Sequence, residues 1–382
     1  MSHYDYPAYC AMLADERRLK PYSEALRKVV SDESVVLDLG SGTGFFSFLA
    51  VRYGARKVYA VETNPLIGLS KTLASANLVD EKIEFIKESS TSIELSEKAD
   101  ILVSDLHGTL PFYGKSPASI IDARERLLKP DAHMIPEREK VFFALANFEE
   151  FYREKIGDNL GNFGGFDFSS AHHLITDRLL NAYKEDLELY SAPRLFAELD
   201  YRTLTDTEFE ADLSFEVERD GIINGLRAWF EADLDDEYAL SNSPDFPDMV
   251  YGAPVLPFPK PVSVSKGDRV DCKISVFEKN EGYSMNWDTS IFDQTGKNSQ
   301  RFHQSMLRAV FVPPDEILKQ SEYFMPRPTI ENEIDLFVLK RFDSETPIGD
   351  IADYLLEAYP ASFQEFEKAF ERVISVVQKY GY

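Results

Sequence analysis

At 382 residues the chain exceeds one ordinary domain, and 44% apolar with 28% charged residues is a soluble globular composition with ample core. Its 66 acidic against 41 basic side chains leave a formal charge of −25, which disfavours a nucleic-acid partner and favours a cationic peptide or protein. No apolar signal segment or run of about 18 apolar residues occurs, so no membrane contact is expected and the cytoplasm is the expected compartment.

In chain order, residues 1–34 read as N-terminal helices, with AMLADERRLKPYSEALRKVV broken or kinked at Pro21. Arg17 and Arg18 stand just ahead of the first strand, where either can pair with a ligand carboxylate in a bidentate fork or remain a solvated charge. Then comes VVLDLGSGTGFF (35–46): a β-branched run ending in Asp38, glycines at 40, 42 and 44, and an apolar helical run. Strand, glycine turn and helix N-terminus form a nucleotide-type site, because backbone without side chains can approach a ligand closely. Eighteen residues after Gly44 a second strand ends in Glu62, placed to accept ribose hydroxyls. A dinucleotide fingerprint lacks its third glycine here, since position 45 is Phe. GxGxG after Asp38, closed by Glu62, fits S-adenosyl-L-methionine better, a ligand without pyrophosphate and with a cationic amino-acid tail.

Strands and helices alternate over 35–136, the pattern of a doubly wound parallel sheet, here a Rossmann-like cofactor domain. Asp38, Glu62, Ser90 and Asp105 fall at the carboxyl ends of its strands, where such sheets bind ligands. Residues 137–326 change character. Lys140–Asn147 alternates like a strand, 148–190 is aromatic and glycine-rich, and extended runs from 194 to 315 point to a β-barrel or sandwich. Proline-rich Pro244–Val264 reads as a loop or edge. Residues 327–382 form a small α-rich module: a strand-like start (NEIDLFVLKRF) and two helices, the last capped by Ser362 and Glu365. The 11 acids against 5 bases of residues 330–382 argue against DNA despite a helix-turn-helix outline. Cys10 and Cys272, far apart, support neither a disulfide framework nor a metal site.

Taken in order, MLADERR, VLDLGSGTG, AVET, DILVSDLHGTLPFYGKSP, LLKPDAHMIPER, FEEFYREKIGDNLGNFGGFDF and GLRAWFEADL resemble the protein arginine methyltransferases over roughly residues 8–315. The resemblance implies an S-adenosylmethionine-dependent methyltransferase and a homodimer joined through an arm at about 148–190. By position, Arg18 would hold the cofactor carboxylate, and Asp38 and Gly40 would line its amino-acid end. Glu62 would take the ribose, with Ser90 and Thr91 near the adenine. Asp105 stands for the first of the family's two loop glutamates and Gly114 for the second, while Val250 and Tyr251 replace its His-Trp pair. The C-terminal module resembles small winged-helix peptide-recognition modules of ribosomal peptide tailoring.

A lone, shorter acid cannot grip a guanidinium from two sides. The expected reaction is therefore N-methylation of a side-chain amide or amine of a peptide or protein, such as a ribosomal peptide precursor. Asp105 is the expected catalytic acid; His107 is either a proton relay or a plain loop residue, and Tyr113 either a hydrogen-bond donor or cofactor-side packing. The alternatives are an arginine methyltransferase with a compensating acid elsewhere, and an inactive binding scaffold.

Overall fold

Two short helices, α1 (Tyr6–Ala14) and α2 (Glu16–Val29), precede the first strand in the computed structural model. The described residues are 6–381 apart from 113, 158–161, 164, 280–281 and 320, with 162–163 described by backbone alone. The candidate Tyr113 thus lies outside the described residues. The break between the helices falls at Asp15, not at Pro21. The Asp15 carboxylate caps α2 by accepting from the Arg18 amide at 3.3 Å. Pro21 sits inside α2, where the lost backbone bond is offset by a buried face of Arg18, Tyr22, Ala25 and Leu26.

The next hundred residues alternate as β1 (Val35–Leu39), α3 (Phe45–Arg52), β2 (Lys57–Val61), α4 (Ile67–Ala76), β3 (Ile83–Ile86), β4 (Ala99–Ser104), α5 (Ser116–Arg126) and β5 (Leu128–Ile135). The strands form one parallel sheet in the order β3-β2-β1-β4-β5. All five residues of β1 are buried, as a strand covered on both faces requires. The order reverses between β1 and β4, and at such a switch point the carboxyl ends of the two strands open a crevice.

Strand β6 (Arg138–Asn147) begins an antiparallel region. It pairs with Gly221–Asp233 and with Arg194–Asp200 in a seven-stranded sheet. A four-stranded sheet is built from Phe209–Glu216, Arg269–Lys279, Gly282–Phe292 and Asn298–Ser305. The proline-rich stretch is not the expected loop or edge. Ala253–Val264 is an inner strand, paired with Gly221–Asp233 on one side and Leu180–Ala182 on the other. Pro259 and Pro261 are tolerated because they fall where the register jumps from Ile223↔Val262 to Gly225↔Pro257. Residues 148–190 carry only short elements. A single apolar cluster joins Val35, Leu37 and Leu39 of β1 to Phe143, Phe215, Ile274 and Trp287 of the antiparallel sheets.

The chain divides into two compact units, Met1–Phe311 and Val312–Tyr382. The second packs Ile330–Leu339, Ile348–Ala358 and Phe366–Tyr380 around Ile334, Val338, Ile351, Leu355, Val373 and Val376. The strand-like start is therefore a helix, and among the described residues of this unit there is no strand to form a wing. Helical spacing of Ile334 and Val338, both buried, overrides the β-branched composition. The capping box is Thr329 with Asn332 on the first helix; Glu365 flanks the last helix without a side-chain cap bond. No helix among the described residues is long and apolar enough to cross a membrane.

Candidate functional site

The crevice at the switch point lies among the loops that follow β1, β2, β3 and β4. Gly40, Gly42 and Gly44 follow β1 with φ of +75°, +52° and +84°, a left-handed run that side chains resist. A Cβ at Gly40 would lie 2.2 Å from Leu106 Cδ2, and one at Gly42 would lie 2.4 Å from Tyr9 Cε1. The turn is thus bare backbone at Gly40 and Gly42, with the side chain of Leu106 laid against the first and the ring of Tyr9 from α1 against the second.

Two acids hold this turn in shape. Asp38 is buried, and its Oδ2 accepts from the Ser47 amide at 2.8 Å and the Ser47 hydroxyl at 2.6 Å. It thereby ties β1 to the first turn of α3, where exposed amides favour a carboxylate. Burial pushes its carboxyl up to about 7, although the Ser47 hydrogen bonds pull the other way. Glu62, half-buried at the end of β2, accepts from the Gly42 amide at 2.9 Å and, through its other oxygen, from the Asn64 amide at 2.7 Å. Glu62 thus bonds the glycine turn itself, whereas Asp38 bonds the helix that follows it. Ser90 and Thr91 occupy a single turn after β3. The buried Ser90 gives its carbonyl to Arg126 at 2.8 Å, and the exposed Thr91 bonds the Ser89 hydroxyl at 2.8 Å.

The loop after β4 carries Asp105 and His107. Asp105 Oδ2 receives the Nε and Nη2 groups of Arg18 in a closed ion pair. Its Oδ1 accepts from the Tyr251 hydroxyl at 2.9 Å. The two residues expected at opposite ends of the reaction, the cofactor-carboxylate arginine and the catalytic acid, are therefore in direct contact. Arg18 also donates through Nη1 to the Met12 carbonyl at 3.1 Å and lies over the Phe46 ring. Burial opposes the Arg18 charge, but the Asp105 carboxylate beside it holds the guanidinium above its ordinary range. Burial, with Asp105 adding to it, pushes Tyr22 and Tyr251 well above the ordinary phenol range, so both remain hydrogen-bond donors.

Behind Asp105 lies the candidate His107, together with Glu139, which motif reading missed. His107, buried, stacks on Tyr251 with ring centroids 4.8 Å apart and meets Phe230 edge-on at 4.5 Å. Its Nε2 is 3.3 Å from Asp105 Oδ1 and 3.5 Å from Oε1 of Glu139, at ion-pair distances without hydrogen-bond alignment. Glu139, on β6, is only 1% exposed and takes the Tyr201 hydroxyl on its other oxygen. The sequence held one signal for it: Glu139 shares parity with the inward-facing Val141, Phe143 and Leu145. Val250 sits apart from the group, its amide donating to Asp15 at 2.7 Å. Gly114, with φ +55°, has open space where a Cβ would be, so nothing at that position supplies a second acid.

Comparison with known proteins bears on the family and the fold. Residues 137–293 match the family model described as the arginine methyltransferase oligomerization subdomain, and residues 30–169 match a methyltransferase domain. An arginine N(omega)-methyltransferase of Streptomyces achromogenes subsp. streptozoticus is 29% identical over 280 residues, covering 69% of this chain and 74% of that protein. Protein arginine N-methyltransferase 2 of Xenopus tropicalis is 28% identical over 287 residues, covering 70% of this chain and 65% of that protein. A probable histone-arginine methyltransferase 1.4 of Arabidopsis thaliana is 32% identical, but over 59% of this chain and 45% of that one. The matched region thus spans less than two thirds of the latter two. Among solved structures, the Trypanosoma brucei PRMT1 enzyme–prozyme heterotetrameric complex with AdoHcy superposes with a TM-score of 0.71 at 22% identity, covering 79% of this chain and 98% of that one. Arabidopsis thaliana protein arginine methyltransferase 10 superposes with a TM-score of 0.68 at 22% identity, covering 79% and 97%.

Proposed function

The chain belongs to the protein arginine methyltransferase family of S-adenosylmethionine-dependent methyltransferases, and from that premise we propose that it methylates a side-chain nitrogen of a peptide or protein, an amide or amine rather than a standard arginine. The carrying observation is Asp105 standing without a second acid at Gly114, with both of its oxygens already engaged by Arg18 and Tyr251. A carboxylate so neutralised offers a hydrogen-bond acceptor rather than a full charge. That suits an N–H that must be oriented more than a guanidinium that must be clamped from two sides.

The residues present fit the cofactor. Gly40 and Gly42 present backbone on which only the Leu106 and Tyr9 side chains rest, Glu62 closes the second strand, and the Arg18 guanidinium spends its Nη1 on a carbonyl, which a ligand carboxylate can replace. S-adenosylmethionine, when bound, supplies a methyl group on a cationic sulfur. The chain's own contribution is position and field: Asp38 fixes the turn, Arg18 fixes Asp105, and Asp105 with Tyr251 orients the nitrogen.

Arginine remains the second reading, favoured by the names of the relatives. Binding of S-adenosylmethionine by calorimetry is the first test, followed by transfer of labelled methyl to free L-arginine and to peptides differing only in Arg, Gln or Lys. A leader-bearing peptide precursor makes a further arm. Methylation of the Gln or Lys peptide is expected. Transfer confined to arginine moves the assignment to the second reading, and cofactor binding with no transfer moves it to an inactive scaffold. The reading also includes a homodimer through residues 148–190, where Phe166 and Phe168 are exposed. A monomer in sedimentation equilibrium would overturn that part.

A further inference from the structure

Glu139 is the unexplained charge in this site. Arg18 answers Asp105, whereas the described groups facing Glu139 are Tyr201, Asp105 and His107, so its only cationic partner is a protonated His107. Burying a carboxylate without a counter-charge is costly. Its Oε1 is fully buried and has no hydrogen-bond partner among the described residues, while three acceptor-type atoms (Asp105 Oδ1, His107 Nε2, Glu139 Oε1) crowd within 3.3 and 3.5 Å. Such a cluster needs a proton inside it.

We infer that His107 and Glu139 form a buried proton acceptor behind Asp105, with His107 doubly protonated between two carboxylates and Glu139 as the sink. This rests on the reading that Asp105 faces the methylated nitrogen. As the nitrogen lone pair forms the new C–N bond, the C–S electron pair stays on sulfur and the nitrogen gives one proton to Asp105. His107 passes its Nε2 proton to Glu139 Oε1, and Nε2 takes the proton from Asp105. Asp105 is then again an anion paired with Arg18, and Glu139 is a neutral acid. Burial already pushes the Glu139 carboxyl up, against the pull of His107 and the Tyr201 hydroxyl, which readies it to accept. On product release the path runs backward and returns the proton to water through Asp105. His107 and Glu139 are positioning residues in this scheme, acting through Asp105.

The test has two independent readings on the full-length protein. With [15N]histidine label, the resonances missing from His107→Gln identify His107 among the six histidines. Near neutral pH both of its ring nitrogens should be protonated, and Glu139→Gln should leave one bare. A wild-type His107 with one bare nitrogen, or a spectrum unmoved by Glu139→Gln, overturns the pair. The kinetic reading uses whichever of L-arginine or the Arg, Gln and Lys peptides the wild type methylates fastest. Glu139→Gln should lower kcat roughly a hundredfold with KM unchanged, and its rate should climb with pH where the wild type is flat. Unchanged kcat with a flat profile removes the pair from the reaction. If the wild type methylates none of the four, the acceptor reading fails, while the nitrogen spectra still decide the pair. Should Glu139→Gln not fold, Tyr201→Phe takes its place. It strips a hydrogen bond that favours ionised Glu139, so Oε1 should draw the Nε2 proton and the His107 spectrum should move toward one bare nitrogen; an unmoved spectrum overturns the scheme.

Discussion

Asp38 is an acid kept from water by its own strand, and its stability cost has a definite pH range. Its carboxyl rises from the ordinary 3.8 to about 7 through burial, so the folded state binds the proton more tightly than the unfolded chain does. Stability therefore falls as pH climbs between those two values and is lowest above the upper one. Asp38→Asn, whose side-chain oxygen can still accept from Ser47, should flatten that fall in thermal melts; parallel curves would show that the acid stays ionised throughout. Glu62→Ala should weaken S-adenosylmethionine binding roughly tenfold or more by calorimetry, as expected for a lost charge-assisted bond. Asp105→Ala should cut turnover at least about a hundredfold while leaving cofactor affinity within a few-fold, because the freed Arg18 keeps its charge. Retained turnover would place the reacting nitrogen elsewhere. Glycine spacing and strand-end acids made Asp38, Glu62 and Asp105 legible in the sequence, since each is fixed by local chain geometry. Glu139 and its contact with His107 were not, because the two come from different sheets and only tertiary packing joins them.

Among the elements, the glycine turn and α1 depend on each other. A Cβ at position 42 would strike the Tyr9 ring at 2.4 Å in a backbone conformation side chains rarely adopt. Gly42→Ala should thus loosen α1 and the turn together, read as faster amide exchange over residues 6–14 and lower cofactor affinity. Exchange confined to the turn would show that Tyr9 merely rests there. The alternation of parallel strands and helices could be read directly, since continuous apolar runs have no other use. The inner strand Ala253–Val264 could not. Its prolines signal an edge, and only the register jump opposite Asn224 makes room for them. NEIDLFVLKRF misled in the opposite sense, because its helix is decided by packing of Ile334 and Val338 rather than by propensity.

At the scale of the molecule, the family resemblance and the compact units end close together. The family models reach residue 293, and the first unit reaches Phe311. A chain ended after Phe311 should keep cofactor affinity and its thermal transition, and residues 312–382 alone should melt as a separate helical unit. Loss of cofactor binding on truncation would make the second unit part of the enzyme proper. Loss of peptide affinity alone would make it a recognition module.

The apolar cluster that runs from β1 into the antiparallel sheets joins the two regions through one shared core. Heat or denaturant should therefore dismantle the glycine turn and the sheet around Trp287 at one midpoint, whichever probe is followed. Damage planted deep in the barrel would then surface as weaker nucleoside capture, and bound nucleoside would in turn shield the far sheets from proteases.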